Sequence, residues 1–259
     1  MVKSQQKKRW LSTDEIISSV ITMLLLIVIH VTIYSVYMTT EGVIYCYNDV
    51  YCYAQAKSKI PIIMVAEFYI IYNLKYEWRI NLLIREESML KLWIRLIKKI
   101  GFLSGVVAVC SFVICTVYAA FNCVYECNWL DRNSEAFHTF LYDMTIRIDT
   151  WIIQVIFILT IFAEVFVMGV FIIISWWWLR QPIYGYGAMV AFALFEQNYW
   201  QKKLYIFFNK MSMNPPYMYL KGYNVANHII FPIVMMVAAC IVGAVLFRKR
   251  DMLRKDSDV

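Results

Sequence analysis

Long apolar stretches alternate with polar ones along almost the whole chain. About 20 apolar residues cross the hydrocarbon core of a bilayer as a helix. Four stretches reach that length: residues 16–38, 100–122, Thr150–Leu179 and 228–247. Two shorter stretches, 60–74 and 183–195, have the length of re-entrant, interfacial or buried segments. The pattern predicts an all-α, multi-pass helical transmembrane protein with four firm spans and two short hydrophobic segments that span or re-enter the membrane.

The distribution of basic residues favours six crossings over four. Lys and Arg accumulate in cytoplasmic loops of membrane proteins. If both short segments cross, 17 of the 25 Lys and Arg lie on the side of the termini, but only 11 do so with four crossings. We therefore expect a single membrane domain over residues 1–259 with both termini in the cytoplasm. Residues 75–99 would be a basic amphipathic cytoplasmic segment, either a helical extension or a helix on anionic lipid, and residues 248–259 a cytoplasmic tail.

Composition agrees with the membrane class. The chain is 61% hydrophobic, whereas soluble domains are usually about 45–50% apolar. The net charge of +7 is explained by the cytoplasmic loops, so we expect no nucleic-acid partner.

Four of the seven cysteines lie in predicted loops, namely Cys46, Cys52, Cys123 and Cys127. In the six-pass topology both loops face the oxidising side of the membrane. The spacings are not those of zinc ligands, so we expect no metal site. Disulfides are favoured, either within each loop or between the two loops, with free thiols as the alternative.

Catalytic patterns are absent from the sequence. It contains three histidines and no histidine box, nucleophile elbow or phosphate loop. We expect neither an enzyme nor a bound cofactor.

Polar residues inside the apolar stretches are the candidates for function, because an uncompensated charge in hydrocarbon is costly. They are Glu164, Glu67, Gln154 and His30. Glu164 and Gln154 are ten residues apart, and so lie on roughly the same side of one helix. Two interpretations stay open: these groups fix helix packing, or they line a pathway for cations or protons.

Two further patterns indicate contacts with other proteins. Gly101 and Gly105 have the GxxxG spacing that lets helices approach closely, within the chain or in a dimer. The chain ends in Ser257, Asp258 and Val259, which match a PDZ-domain ligand.

The stretch from Glu41 to Cys46, followed by Cys52, resembles the first outside loop of the claudin-like tetraspan proteins of cell junctions, including the insect septate-junction members. The predicted cytoplasmic ends and the PDZ-like end match that family as well. The tryptophan of the family's loop pattern is missing here, and the two cysteines are closer together. The resemblance implies a role in paracellular or septate junctions, with the first loop making contacts between cells.

Together these observations predict a non-catalytic membrane protein that acts through lateral and cell–cell contacts, such as a junction component or an accessory subunit of the plasma membrane. Its expected partners are membrane lipid, other membrane proteins including copies of itself, and a PDZ scaffold. The alternative is a channel, transporter or small-molecule receptor with intramembrane carboxylates along its pathway.

Overall fold

The computed structural model describes residues 13–75, 88–139, 148–179, 181–198, 206–213 and 225–257. Within these ranges the chain forms helices and two isolated β-bridges. The helices are α1 Thr13–Tyr37, α2 Tyr47–Leu74, α3 Met89–Asn122, α4 Glu135–Thr139, α5 Thr150–Leu179, α6 Pro182–Asn198, α7 Phe208–Met211 and α8 Val225–Ser257. Four helical stretches, namely α1, α3, α5 and the His228–Arg248 part of α8, are long and apolar enough to cross a membrane. The predicted all-α, multi-pass class is confirmed.

Helix α5 is the centre of the bundle, whereas α1 and α8 lie at its periphery. Most of the apolar stretch of α5 is buried, but α1 and α8 expose large apolar side chains such as Leu24, Val28, Val234 and Ile241. Hydrocarbon is as apolar as these side chains, so they need no protein partner in a bilayer. The exposed faces of α1 and α8 therefore form a lipid-facing surface.

Helix α2 is much longer than the short segment 60–74 predicted from the sequence. It runs antiparallel to α1 along its full length. At one end Ser18 Oγ lies 3.3 Å from Asn73 Oδ1, and at the other the rings of Tyr37 and Tyr53 stack with centroids 6.3 Å apart. Segment 60–74 is thus the second half of a helix that traverses the same depth as α1.

The first half of α2 is not recognisable as a membrane helix from hydropathy, because it contains polar residues. Those residues turn into the protein: Asn48, Asp49, Gln55 and Ser58 are all buried. A helix that is shielded by its neighbours can carry a polar face through the bundle without exposing that face to lipid.

The remaining long helices continue the alternation of direction. Helix α3 is parallel to α1, because Glu15 lies 3.3 Å from Lys99 and Tyr34 donates a hydrogen bond to Cys115 Sγ at 2.9 Å. Helix α5 is antiparallel to α3, and α6 turns back along α5, beginning beside Ser175.

Helix α8 ends at the same end of the bundle where α1 begins. Near its start, Lys210 lies 4.3 Å from the centroid of the Phe231 ring. Towards its end, Phe247 packs between the indole rings of Trp93 and Trp177. We call this end of the bundle the terminal end, since the first and last described helices meet there.

Three predicted boundaries shift. Helix α3 begins at Met89, with Ser88 accepting a hydrogen bond from Lys91 N at 3.3 Å. The last part of segment 75–99 is therefore the beginning of the third helix, and residues 76–87 lie outside the described residues. Helix α8 continues through the predicted tail as far as Ser257, and α6 extends the short segment 183–195 slightly at both ends.

The close approach of α8 to α3 depends on Gly243, where a Cβ atom would overlap the indole ring of Trp93. We predict that Gly243→Val destabilises the protein by about 1–3 kcal/mol, the usual cost of overpacking. The matched control is Gly187→Val in α6, where a Cβ atom would meet nothing within 4 Å. Thermal unfolding in detergent measures both variants, and equal melting temperatures would contradict the close α3–α8 contact.

Candidate functional site

Four polar side chains from three helices meet inside the bundle, and we call them the polar cluster: Gln55, Lys59, Glu164 and Glu196. Gln55 Nε2 donates a hydrogen bond to Glu164 Oε1 at 3.0 Å. Lys59 Nζ lies 3.9 Å from the same oxygen. Both members of the ion pair are almost completely buried, so each charge is compensated inside the protein and not by solvent.

The polar cluster also holds the segment around α7. Glu196 accepts hydrogen bonds from the backbone N–H groups of Ile206, Phe207 and Phe208 at 2.9–3.0 Å. The first N–H groups of a helix have no partner within that helix, and here the carboxylate supplies one. A short helix of four residues, with Phe208 and Met211 buried, is thereby anchored to the bundle.

Two more bonds connect α2 to the same segment. Lys59 Nζ donates to the carbonyl oxygen of Phe208 at 2.6 Å, and Met213 N donates to Gln55 Oε1 at 2.7 Å. The polar cluster thus joins α2, α5 and α6 to α7 through charged and amide groups.

The other polar residues singled out in the sequence lie apart from this cluster. Gln154 Nε2 donates to the hydroxyl of Tyr51 at 3.2 Å. His30 is fully buried, and its Nδ1 donates to the carbonyl oxygen of Leu26 at 2.7 Å. Glu67 is also fully buried, and its carboxyl oxygens have no hydrogen-bond partner among the described residues.

Gly101 and Gly105 lie against aromatic rings of α5. A Cβ atom at these positions would come 3.8 Å from Phe166 and 3.9 Å from Phe162. The two phenylalanines stack on each other with centroids 5.8 Å apart. The GxxxG pattern therefore provides room for a pair of rings within the chain.

At the end of the bundle opposite the terminal end, two connecting segments form a small ordered unit. We call it the cap: residues 38–46 and 123–139. Ile44 N donates to Asn133 O at 2.7 Å, and Val124 N donates to Tyr45 O at 3.0 Å. Isolated bridges pair Ile44 with Ser134 and Cys46 with Val124. The two segments are thus held together through their backbones.

A buried carboxylate fastens the cap to α2. Asp49, in the first turn of α2, accepts a hydrogen bond from Trp129 Nε1 at 2.8 Å and another from Cys46 N at 2.9 Å. Asp49 and Trp129 are fully buried. A charged acceptor with two donors is a strong interaction in a buried position, so this pair fixes the cap on the helix bundle.

All seven cysteines carry free thiols in the structure, so no disulfide is present to support the one predicted. The thiols of Cys46 and Cys127 nevertheless lie close enough to shift each other's pKa. The neighbouring Cys46 lowers the pKa of Cys127 to about 7, while burial and the neighbouring Cys127 raise the pKa of Cys46. Cys52 lies on α2 and not in a loop, which corrects its predicted position.

Sequence reasoning missed several residues of these two sites, namely Gln55, Lys59, Glu196, Asp49 and Trp129. The sequence offered one signal for Gln55 and Lys59, because they are four residues apart and residues at that spacing share a helix face. Of the predicted PDZ ligand, Ser257 is the last described residue, and Asp258 and Val259 lie outside the described part. Among the described residues no group of three or more His, Cys, Asp or Glu side chains could hold a metal ion.

Comparison with known proteins identifies no relative. No protein family matches the chain, and neither a curated protein nor a solved structure is significantly similar to it. The claudin-like resemblance stays a prediction, and function has to be argued from the geometry of the polar cluster and the cap.

We predict that Lys59→Met and Glu164→Gln each destabilise the protein by about 3–5 kcal/mol, because removing one partner leaves the other buried and uncompensated. The double variant should lose less than the sum of the two. Lys57→Met, at an exposed position on the same helix, is the matched control. Unfolding in detergent measures the double-mutant cycle. Normal stability combined with lost cation flux in vesicles would contradict a packing role and favour transport.

Proposed function

We propose that this protein is a non-catalytic, multi-pass protein of the plasma membrane that acts through contacts with other membrane proteins, both laterally and between cells. Its cap would face the outside, and its termini the cytoplasm. The observation that carries the proposal is the order of the cap, which is built and anchored like a recognition unit and not like a flexible connection.

The surface of the cap supports this proposal. Its backbone is fixed by the pairing of its two segments and by the Asp49–Trp129 bond. On this fixed backbone the apolar side chains Ile44, Tyr125 and Leu130 are exposed, Tyr125 by 63%. Exposed apolar and aromatic side chains on a rigid support are typical of the core of a protein interface. We infer that a protein surface on a neighbouring molecule covers them.

The polar cluster supports the contact role over the transport alternative. Lys59 is bonded to Phe208 O and paired with Glu164, and the side chain of Gln55 bridges Glu164 and Met213 N. A pathway for ions needs groups that exchange their partners during passage. Groups that are bonded to backbone atoms of α7 and of the residue Met213 after it serve packing instead.

The orientation of the protein is supported by charge. Arg95, Lys98, Lys99 and Arg248 lie on the helix ends that meet at the terminal end, where both described chain ends also lie. Basic residues favour the cytoplasmic side, so the cap would lie outside. This is also the arrangement that the resemblance to claudin-like junction proteins implies.

We predict that Tyr125→Ala/Leu130→Ala weakens the aggregation of non-adhesive cells that express this protein. We expect one of the two residues to be a hot spot worth about 2 kcal/mol, which corresponds to roughly 30-fold weaker association. The matched control is Leu90→Ala/Trp178→Ala, which removes two exposed apolar side chains on the helix ends at the terminal end. Surface delivery is measured alongside, and unchanged aggregation of properly delivered cap variants would contradict the proposal.

We further propose that Cys46 and Cys127 form a disulfide when the cap reaches the oxidising side of the membrane. A disulfide-bonded oxidoreductase of the secretory lumen would supply the oxidising equivalents. The Cys127 thiolate attacks one sulfur of the donor disulfide and releases one donor thiol. The Cys46 thiolate then attacks Cys127 Sγ and releases the second donor thiol. The two protons lost by the protein are taken up by the two donor thiols.

Peptide mapping without reduction tests this pairing. We expect Cys46 and Cys127 in one linked peptide pair, lost in Cys127→Ser and retained in the matched control Cys123→Ser. Linkage of Cys46 to Cys52, or seven alkylated thiols, would contradict it. Labelling of Leu130→Cys by a membrane-impermeant maleimide tests the topology separately. If this residue is labelled from outside while peptide mapping of the unsubstituted protein finds seven free thiols, the disulfide is rejected but the topology is not.

A further inference from the structure

We propose that the terminal end of the bundle holds a binding site for an anionic phospholipid. The headgroup phosphate would occupy a basic cavity between α1, α2 and α3, and an acyl chain would follow the adjoining groove along α3. This site is separate from the cap and is independent of the contact role proposed above.

The headgroup cavity measures about 330 Å³. Its polar lining consists of Glu15, Tyr69, Asn73, Arg95, Lys98 and Lys99. Three of these side chains are cationic and one is a carboxylate, and Lys99 lies 3.3 Å from Glu15. The lining therefore has a net charge of +2, which suits a phosphate group that carries negative charge.

The individual groups also suit a phosphate ester. Arg95 presents a planar guanidinium, which binds phosphate oxygens in pairs, and Lys98 supplies a compact point charge. The hydroxyl of Tyr69 and the side chain of Asn73, which are hydrogen-bonded within the protein, complete the α2 side of the cavity without adding charge. Basic pockets between transmembrane helices are known sites for anionic lipid headgroups.

An apolar groove of about 410 Å³ adjoins this cavity. Phe102 lines both, so the groove continues from the cavity along α3. The other residues of the groove are Gly101, Gly105, Val106, Val109 and Cys110. Apart from the two glycines, the lining residues offer only apolar contact.

The depths of the basic cavity and of the apolar groove match the headgroup and the acyl chain of a phospholipid. The apolar part of α3 begins directly after Lys99, so the basic cavity lies at the level of the headgroups. At 1.5 Å per residue, the groove from Gly101 to Cys110 extends about 14 Å along the helix. One leaflet of the hydrocarbon core is roughly 15 Å thick, which is the depth that an acyl chain occupies. A free phosphate would use the cavity alone.

The charge part of the proposal is tested in bilayer nanodiscs of phosphatidylcholine containing spin-labelled phosphatidylserine. We expect Arg95→Gln/Lys98→Gln to lower the preference for the anionic lipid roughly 100-fold, because each substitution removes a charge-assisted hydrogen bond to the headgroup phosphate, worth about a factor of ten. The matched control Lys91→Gln/Arg248→Gln removes two exposed charges on the helix ends at the terminal end but outside the cavity. Equal losses in the two double variants would overturn the site in favour of general surface charge.

The groove is tested with Val109→Trp, which fills it, against Val113→Trp, one turn further along α3 and also exposed. We expect loss of retained phosphatidylserine only with Val109→Trp. Competition with inorganic phosphate separates the two sources of a phosphate group. Full displacement of the lipid by millimolar phosphate, or equal retention in both tryptophan variants, would overturn a lipid site.

The exposed single substitution Lys98→Gln, compared with Lys91→Gln, keeps the test valid if the double variant does not fold. We expect about tenfold lower preference for phosphatidylserine in Lys98→Gln and no change in Lys91→Gln, because only Lys98 lines the cavity and can bond the phosphate. Identical preference in these two folded variants would count against the proposal.

Discussion

A charge buried among transmembrane helices must be matched inside the protein, because lipid supplies neither counter-ions nor hydrogen bonds. In this bundle the constraint falls on Glu164, in the middle of the most buried helix. Lys59 and Gln55 meet it from α2, and this requires α2 to lie directly against α5. The position of α2 in the interior, and of α1 outside it, follows from this requirement.

The same constraint explains how a segment as polar as α2 traverses the bundle. Gln55 and Lys59 point towards α5 and the segment around α7, and the apolar helix α1 lies along another side of α2 over its whole length. Helix α7 in turn is a single turn whose end would expose unbonded N–H groups. Glu196 bonds them, which allows this short helix to pack against the bundle with Phe208 and Met211 buried. Polar groups on one helix are thus satisfied by backbone groups of another.

The fold class and the four apolar helices could be predicted from the sequence because a long apolar run has few interpretations. Glu164 could be singled out for the opposite reason, since a carboxylate in such a run is conspicuous. Its partner Lys59 could not, because it lies among the polar residues 47–59, which have the composition of a loop. Only the packing of α2 against α5 shows that Lys59 is buried. Asp49 and Trp129 were missed likewise, since their pairing joins residues 80 positions apart.

The two ends of the bundle solve different physical problems. At the cap, Asp49 and the paired backbones of two segments fix the position of the side chains, including exposed apolar ones such as Tyr125. Burial of such apolar side chains against a partner would lower the free energy of the system. At the terminal end, charge predominates and the neighbouring groove on α3 is apolar. A surface that is basic at headgroup depth and apolar below it matches a phospholipid and not a soluble anion. The polar cluster, buried between the two ends, keeps the helices in register, so a partner at the cap and a lipid at the terminal end would bind to one rigid framework.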